Sequence, residues 1–254
     1  MKVIYPEKDE LSGSIETLDR EVEGNADYVK LIESCALAYF HRNPLTRYLF
    51  RKRLRVAAAL LGTSPAHRLL DAGCGIGYFL PTLTRVADQV HGIDRHGVAV
   101  EYARRLVRGR GLANVQVSTG DILNLPYPTA SFDVVVSLST FEHITNLDGG
   151  FTELRRICAP GARVVVGYPM EGSFLLGLAE RLDHATCLRK HVRCMTRCLE
   201  QDEGVRGQVT GHVSTWLAID AALGRNFRIL KRRYVGLLPV VGRLYAMRLA
   251  ERDA

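Results

Sequence analysis

Between about residues 65 and 170, short apolar runs alternate with longer amphipathic stretches. That alternation predicts strands and helices taking turns. The runs near 67–71, 89–94, 114–119, 132–137 and 162–168 read as strands. Each is short, mostly apolar and bounded by turn residues, as a strand covered on both faces requires. The stretches near 77–87, 96–109 and 146–158 read as helices, and Pro160-Gly161 as the turn into the fifth strand. Strand, helix and strand in succession imply βαβ units and a parallel sheet. Upstream, the stretch from Tyr28 to Leu61 is helical, with Phe50, Leu54, Ala57, Ala58 and Leu61 sharing one face. Asn43-Pro44 divides it, because the residue before proline resists the α region while proline suits a helix start. Downstream, a helix from about Thr210 to Leu223 precedes two strands, Phe227 to Tyr234 and Leu244 to Leu249.

The first strand ends in the run Leu70-Asp71-Ala72-Gly73-Cys74-Gly75-Ile76-Gly77. Three alternating glycines suit a tight turn with positive φ that lets a ligand approach the backbone. The N–H groups beyond the turn offer that ligand hydrogen bonds. The dinucleotide pattern G-x-G-x-x-G fails here, since Tyr78 stands at the third glycine position, and no G-K-[ST] follows to make a P-loop. Two further strand ends carry carboxylates, Asp94 and Asp121. A carboxylate about twenty residues past the glycines suits the hydroxyls of a ribose. Three acids at successive strand ends fit a nucleoside lying across a topological switch point.

These motifs resemble the class I S-adenosylmethionine-dependent methyltransferases, especially the type 11 branch with the quinone-biosynthesis enzymes. The resemblance rests on Asp71 to Gly77, Asp94, Gly120-Asp121-Ile122, Phe132 to Ser137, Phe141-Glu142-His143-Ile144 and Leu154 to Val166, in that order, over roughly residues 65 to 170. It implies an α/β fold: a Rossmann-like, seven-stranded, mostly parallel sheet with an antiparallel last strand. Helices would cover both faces, with N-terminal helices and an inserted helical lid. It divides the chain into a lead-in and helical cap over 1–64 and a methyltransferase domain over 65–254, with the insert at about 171–209. The implied cofactor is S-adenosyl-L-methionine. Asp71, Ala72, Gly73, Cys74 and Gly75 would hold its methionine part, with Gly77 opening the next helix. Asp94, with Arg95 beside it, would take the ribose. Asp121 and the Ile122 backbone N–H would take the adenine, and Ser137 and Leu138 would face the donor methyl.

The chemistry so implied is methyl transfer to a small-molecule or lipid-like acceptor, with O- or C-methylation favoured. Ser137-Leu138-Ser139-Thr140 departs from the N-P-P-Y pattern used on exocyclic base amines. His143 is the candidate general base, because imidazole titrates near neutrality. His212, at the expected start of the 210–223 helix, is a second. Tyr78 either lies near the sulfonium or packs on the sheet. Asp133 reads as a strand-start carboxylate and Asp148 as a helix cap. The competing readings are an RNA methyltransferase and a non-catalytic protein that keeps the fold.

Charge adds one qualification. The net charge of +7 is uneven: residues 1–27 hold eight acidic and three basic side chains, which reads as a loosely docked lead-in. By contrast, Arg42, Arg47, Arg51, Lys52, Arg53 and Arg55 follow one another without a carboxylate between them. Such a run is either a phosphate-attracting surface or a solvated helix face. No stable nucleic-acid partner is expected, since no aromatic-interleaved basic stripe accompanies it. The apolar tip Leu237 to Val241 offers a membrane contact or a pocket wall. No apolar run reaches membrane-spanning length and no signal segment is visible, so a cytoplasmic or membrane-peripheral place is expected. The six cysteines read as reduced thiols. His184, Cys187, His191, Cys194 and Cys198 recur at helical spacing, but one straight helix brings only two of them to an ion, so no metal is expected.

Overall fold

The computed structural model describes residues 1–6, 39, 44–170, 212–236 and 243–253. Helix α1 (Pro44–Leu61) leads into β1 (Ala66–Ala72), α2 (Leu80–Leu83), β2 (Ala87–Asp94), α3 (Gly97–Gly109) and β3 (Val115–Thr119). Then follow β4 (Phe132–Leu138), a 3₁₀ turn (Phe141–His143), α4 (Leu147–Ile157) and β5 (Cys158–Pro169), and later α5 (Trp216–Asn226), β6 (Arg228–Gly236) and β7 (Arg243–Glu251). The seven strands form one sheet in the order β3-β2-β1-β4-β5-β7-β6. All pairs from β3 to β5 are parallel, while β7 runs antiparallel to both β5 and β6. The chain winds outward from β1 to β3, then returns to place β4 against β1. The carboxyl ends of β1 and β4 therefore flank the switch point, where open α/β sheets leave a crevice.

Strand parity sorts the core into two layers. Leu69, Val134, Val136 and Val165 pack with Leu54, Ala57, Ala58 and Leu61 of α1 and with Ala99 and Ala103 of α3. Leu70, Val135, Val164 and Val166 face the other way, onto Phe151, Leu154 and Ile157 of α4 and Ile219 and Leu223 of α5. Both faces are thus covered, as the sequence predicts.

The expected strands all form. Three other details differ. The 77–87 stretch carries only the single-turn α2, because Thr84 to Val86 turn back at once and the Ala66 N–H bonds the Val86 carbonyl at 2.9 Å. The apolar run there is a buried connection with no solvent face to sustain a longer helix. The 210–223 helix starts at Trp216 behind the Thr215 cap, so His212 lies in the preceding segment rather than on the helix. Asn146, not Asp148, caps α4 by accepting the Gly149 N–H, and Asp148 instead pairs with Arg225 at 2.7 Å. Asp133 does mark a strand start, accepting the N–H groups of His67 and Arg68 at 2.9 and 2.8 Å.

Residues 1–6 are docked rather than loose. The Ile4 N–H donates to Thr82 Oγ1 at 2.9 Å, and Tyr5 OH donates to the Arg51 carbonyl at 3.2 Å. Residues 7–27, the expected first N-terminal helix, the 171–209 insert with its His/Cys stripe and the 237–241 tip lie outside the described residues. Of the cysteines, Cys74 and Cys158 are described, and both are free thiols.

Candidate functional site

The turn after β1 is held by its neighbours. The N–H groups of Gly73 and Cys74 both donate to the Ile93 carbonyl of β2, at 2.8 and 3.0 Å. Gly73 has φ +82°, and a Cβ there would overlap Thr140 Oγ1. Gly77 has φ +76°, and a Cβ there would press to 2.9 Å from Ala103 Cβ on α3. Positive φ and crowding together restrict both positions to glycine. Gly77 does not open a helix; it closes the turn against α3.

Asp94 ends β2 and completes the turn. Its Oδ2 accepts the Gly75 N–H at 2.8 Å and its Oδ1 accepts the His96 N–H at 2.9 Å. One buried carboxylate thus ties the glycine turn to the start of α3. Asp71 is buried as well, and burial, aided by the Asp94 charge, pushes its carboxyl up to about 7. Burial and the two neighbouring carboxylates also push the Cys74 thiol well up, which makes it a poor nucleophile. Asp121 is exposed beyond β3, where its Oδ1 accepts the Leu123 N–H at 2.9 Å.

These groups surround a cavity of about 210 Å³ at the carboxyl ends of the strands. Of the sequence-predicted residues, Asp71, Gly73, Cys74 and Gly75 line it from the turn. Asp94, Arg95, Asp121 and Ile122 line it from β2 and β3, and Leu138 and His143 from beyond β4. Ala72, Gly77 and Ser137 stand behind the wall. Ser137 is fully buried, and its hydroxyl donates to the Ala72 carbonyl at 2.8 Å, so it braces β1 against β4 instead of facing the cavity.

The cavity wall beyond β4 belongs to Ser139 and Thr140, which sequence reasoning passed over. Ser139 has φ +58°, uncommon for a side chain with a Cβ. Tyr78 also lines the cavity; its ring stacks on Tyr39 at 4.1 Å, and burial pushes its hydroxyl up to about 12. Arg53 of α1, read from the sequence only as part of a basic run, also lines the wall.

His143 meets the ring of His212 edge-on at 5.1 Å. The Val213 and Ser214 N–H groups fix that approach by donating to the Glu142 carbonyl at 2.8 and 3.1 Å. Glu142, His143 and His212 bring ligating atoms within 4.8 Å of one another. Ligand atoms around a tetrahedral zinc lie about 3.4 Å apart, within that limit, so imidazole and carboxylate groups of the right type are gathered here.

Residues 70–166 match the family profile described as a methyltransferase domain. Among curated relatives, a demethylmenaquinone methyltransferase from Deinococcus radiodurans is 35% identical over 133 residues, covering 51% of this chain and 54% of that protein. Norajmaline N-methyltransferase from Rauvolfia serpentina is 36% identical over 104 residues, 39% of this chain and 34% of that protein. An uncharacterized 37.1 kDa protein of transposon TN4556 from Streptomyces fradiae is 33% identical over 164 residues, 63% of this chain and 44% of that protein. The chain spans about half, or less, of these relatives' length. The N-methyltransferase NodS from Bradyrhizobium japonicum superposes with TM-score 0.59 at 16% identity, over 84% of this chain and 99% of that one. The [4+2]-cyclase SpnF superposes equally, TM-score 0.59 at 19% identity, over 79% and 82%. At such identities the superpositions establish the fold alone. Sequence match and fold agree as far as each reaches: residues 70–166 match a methyltransferase domain, and the chain shares the fold of solved methyltransferases.

Proposed function

We propose that this protein transfers the methyl group of S-adenosylmethionine to a small-molecule or lipid-like acceptor. The observation that carries the reading is the glycine turn closed by Asp94, with Asp71 and Asp121 on the same cavity. The turn fits the donor: Gly73 and Gly75 present bare backbone to the cavity, and buried carboxylates suit a ligand bearing sulfonium and ammonium charges. When bound, S-adenosylmethionine supplies an electrophilic methyl group on a sulfur that leaves neutral.

The chain's own residues then have separable tasks. Asp71 and the 73–75 backbone receive the methionine part, Asp94 the ribose hydroxyls, and Asp121 with the Ile122 N–H the adenine. Leu138, Ser139 and Thr140 border the place where the acceptor meets the methyl. Alignment of acceptor and donor carries much of the rate in such a displacement. His143 lies on the cavity wall to receive a proton from an acceptor hydroxyl or carbon acid. Demethylmenaquinone, norajmaline and tocopherol appear in the names of relatives, which supports an acceptor of metabolite size. Absence of the N-P-P-Y pattern after β4 favours oxygen or carbon as the methylated atom. No helix among the described residues is long and apolar enough to cross a membrane, and we place the enzyme in the cytoplasm or at a membrane surface.

Calorimetry with S-adenosylmethionine and S-adenosylhomocysteine tests the donor site, and label transfer into metabolite and lipid extracts tests the reaction. Micromolar binding, weakened at least ten-fold by Asp94→Ala, is expected. Undetectable binding of both compounds would overturn the reading.

A further inference from the structure

The cavity carries charge on both sides of the glycine turn. Asp94, Asp121 and Arg95 stand on the β2 and β3 side; on the β4, β5 and β7 side stands a buried cation, Arg53, whose charge reaches Tyr245 together with that of the buried Glu142. Arg53 is 5% exposed, and it lies on the apolar face of α1, three residues after Phe50 and four before Ala57. Its Nη1 donates to Ser139 Oγ at 2.6 Å and its Nη2 to Tyr39 OH at 2.6 Å. Phe50, Tyr39 and Tyr245 surround the guanidinium with ring centroids 4.6, 5.1 and 5.4 Å from its carbon. These contacts fix its place and its plane.

Ser139 links that cation to the reacting end of the sheet. It follows β4, and its N–H donates to the Gly167 carbonyl of β5 at 2.8 Å. Its hydroxyl meets Arg53 Nη1 and also lies 3.0 Å from Tyr245 OH of β7. A residue with a Cβ at φ +58° costs free energy and persists only where its surroundings hold it. Here the conformation aims Ser139 Oγ at Arg53 instead of into the sheet. The next residue, Thr140, packs against Gly73 of the donor turn, so the Arg53 group adjoins the donor without sharing its acids.

We propose that Arg53, Ser139 and Tyr39 form an oxyanion subsite, and that the acceptor enters as an acid bearing a carboxylate or phenolate. This rests on the donor reading of the opposite half of the cavity. A guanidinium stays charged at any physiological pH and presents paired donors that match an oxyanion. A carboxylate is already ionised near neutrality, and the Arg53 charge favours the anion of a phenol beside it, opposing the burial that raises the neighbouring Tyr245 hydroxyl. The surrounding rings give such an acid an aromatic wall. Arg53 is thus a positioning residue that sets which acceptors are taken, while the three acids set the donor.

The test uses the full chain saturated with S-adenosylhomocysteine. Benzoate, 4-nitrophenolate and neutral benzamide are titrated calorimetrically into wild-type, Arg53→Gln and Arg53→Lys proteins. Expected is at least ten-fold tighter binding of one anion than of benzamide; which anion it is separates a carboxylate from a phenolate acceptor. Arg53→Gln should erase that preference, Arg53→Lys should keep part of it, and the S-adenosylhomocysteine affinity should stay within two-fold. Arg53→Lys retains the charge, so it separates lost recognition from a disturbed α1. Equal binding of anion and amide by the wild type, or a preference that survives Arg53→Gln, overturns the subsite. Failure of S-adenosylhomocysteine to bind overturns the donor reading instead.

Discussion

Asp94 holds Gly75: the carboxylate that ends β2 accepts the Gly75 N–H at 2.8 Å and, with its other oxygen, the His96 N–H at 2.9 Å. The group assigned to the ribose therefore also shapes the turn assigned to the methionine part. Asp94→Ala removes both at once and is expected to weaken S-adenosylmethionine binding at least ten-fold. Asp94→Asn can still accept one of the two N–H groups and should retain more affinity. Isothermal calorimetry at fixed pH compares the two.

Asp71 should make donor binding depend on pH. Burial and the Asp94 charge raise its carboxyl from 3.8 to about 7, so at pH 6 it is mostly protonated and at pH 8 mostly ionised. A cationic ligand favours the ionised form, so affinity should rise between those values, with proton release on binding below pH 7. Titrations in two buffers of different ionisation enthalpy count the proton, and Asp71→Asn should flatten the profile. In the unliganded protein the same shift acts on stability in the opposite sense. Its contribution is full below pH 3.8 and is lost as pH rises toward 7, because the folded state holds the proton longer.

Gly73→Ala should cost both stability and donor affinity. The positive φ alone is unfavourable by on the order of 1–2 kcal/mol for a residue with a Cβ, and the overlap with Thr140 adds to it. Combining it with Thr140→Gly relieves the overlap but not the backbone strain. Denaturant melts of the two single variants and the double variant should therefore show coupling with incomplete recovery.

On the opposite layer, Arg248 is 1% exposed, and its Nε donates to Asp220 Oδ1 at 2.6 Å. Tyr168 OH donates to that same oxygen, also at 2.6 Å. Asp220→Ala strands the guanidinium inside the protein and should destabilise it by about 3 kcal/mol. Thermal melting should show a drop of several degrees, while S-adenosylhomocysteine affinity remains that of the wild type, since Asp220 is not among the cavity-lining residues.

The strands were legible because parallel strands covered on both faces must be apolar throughout, a pattern that needs no partner to be seen. The cavity wall from β1 to β3 was legible for a related reason: glycines and acids sit in contiguous turns at strand ends. The wall beyond β4 was not. Whether Ser137 or Ser139 reaches the cavity depends on strand parity and on one positive φ, neither of which two nearby serines reveal. Arg53 was hidden in a basic run, although its place on the Phe50–Leu54–Ala57 face marked it as the member turned inward. His143 and His212 meet across about seventy residues of chain, a distance that no local spacing encodes.

The place of β7 bears on how the chain is made. It leaves the ribosome after β6, yet it ends up inside the sheet, bonded to β5 on one side and to β6 on the other. Until residues 243–251 emerge, β5 presents a bare backbone edge and β6 has nothing to pair with. A chain lacking that strand would carry an adhesive margin.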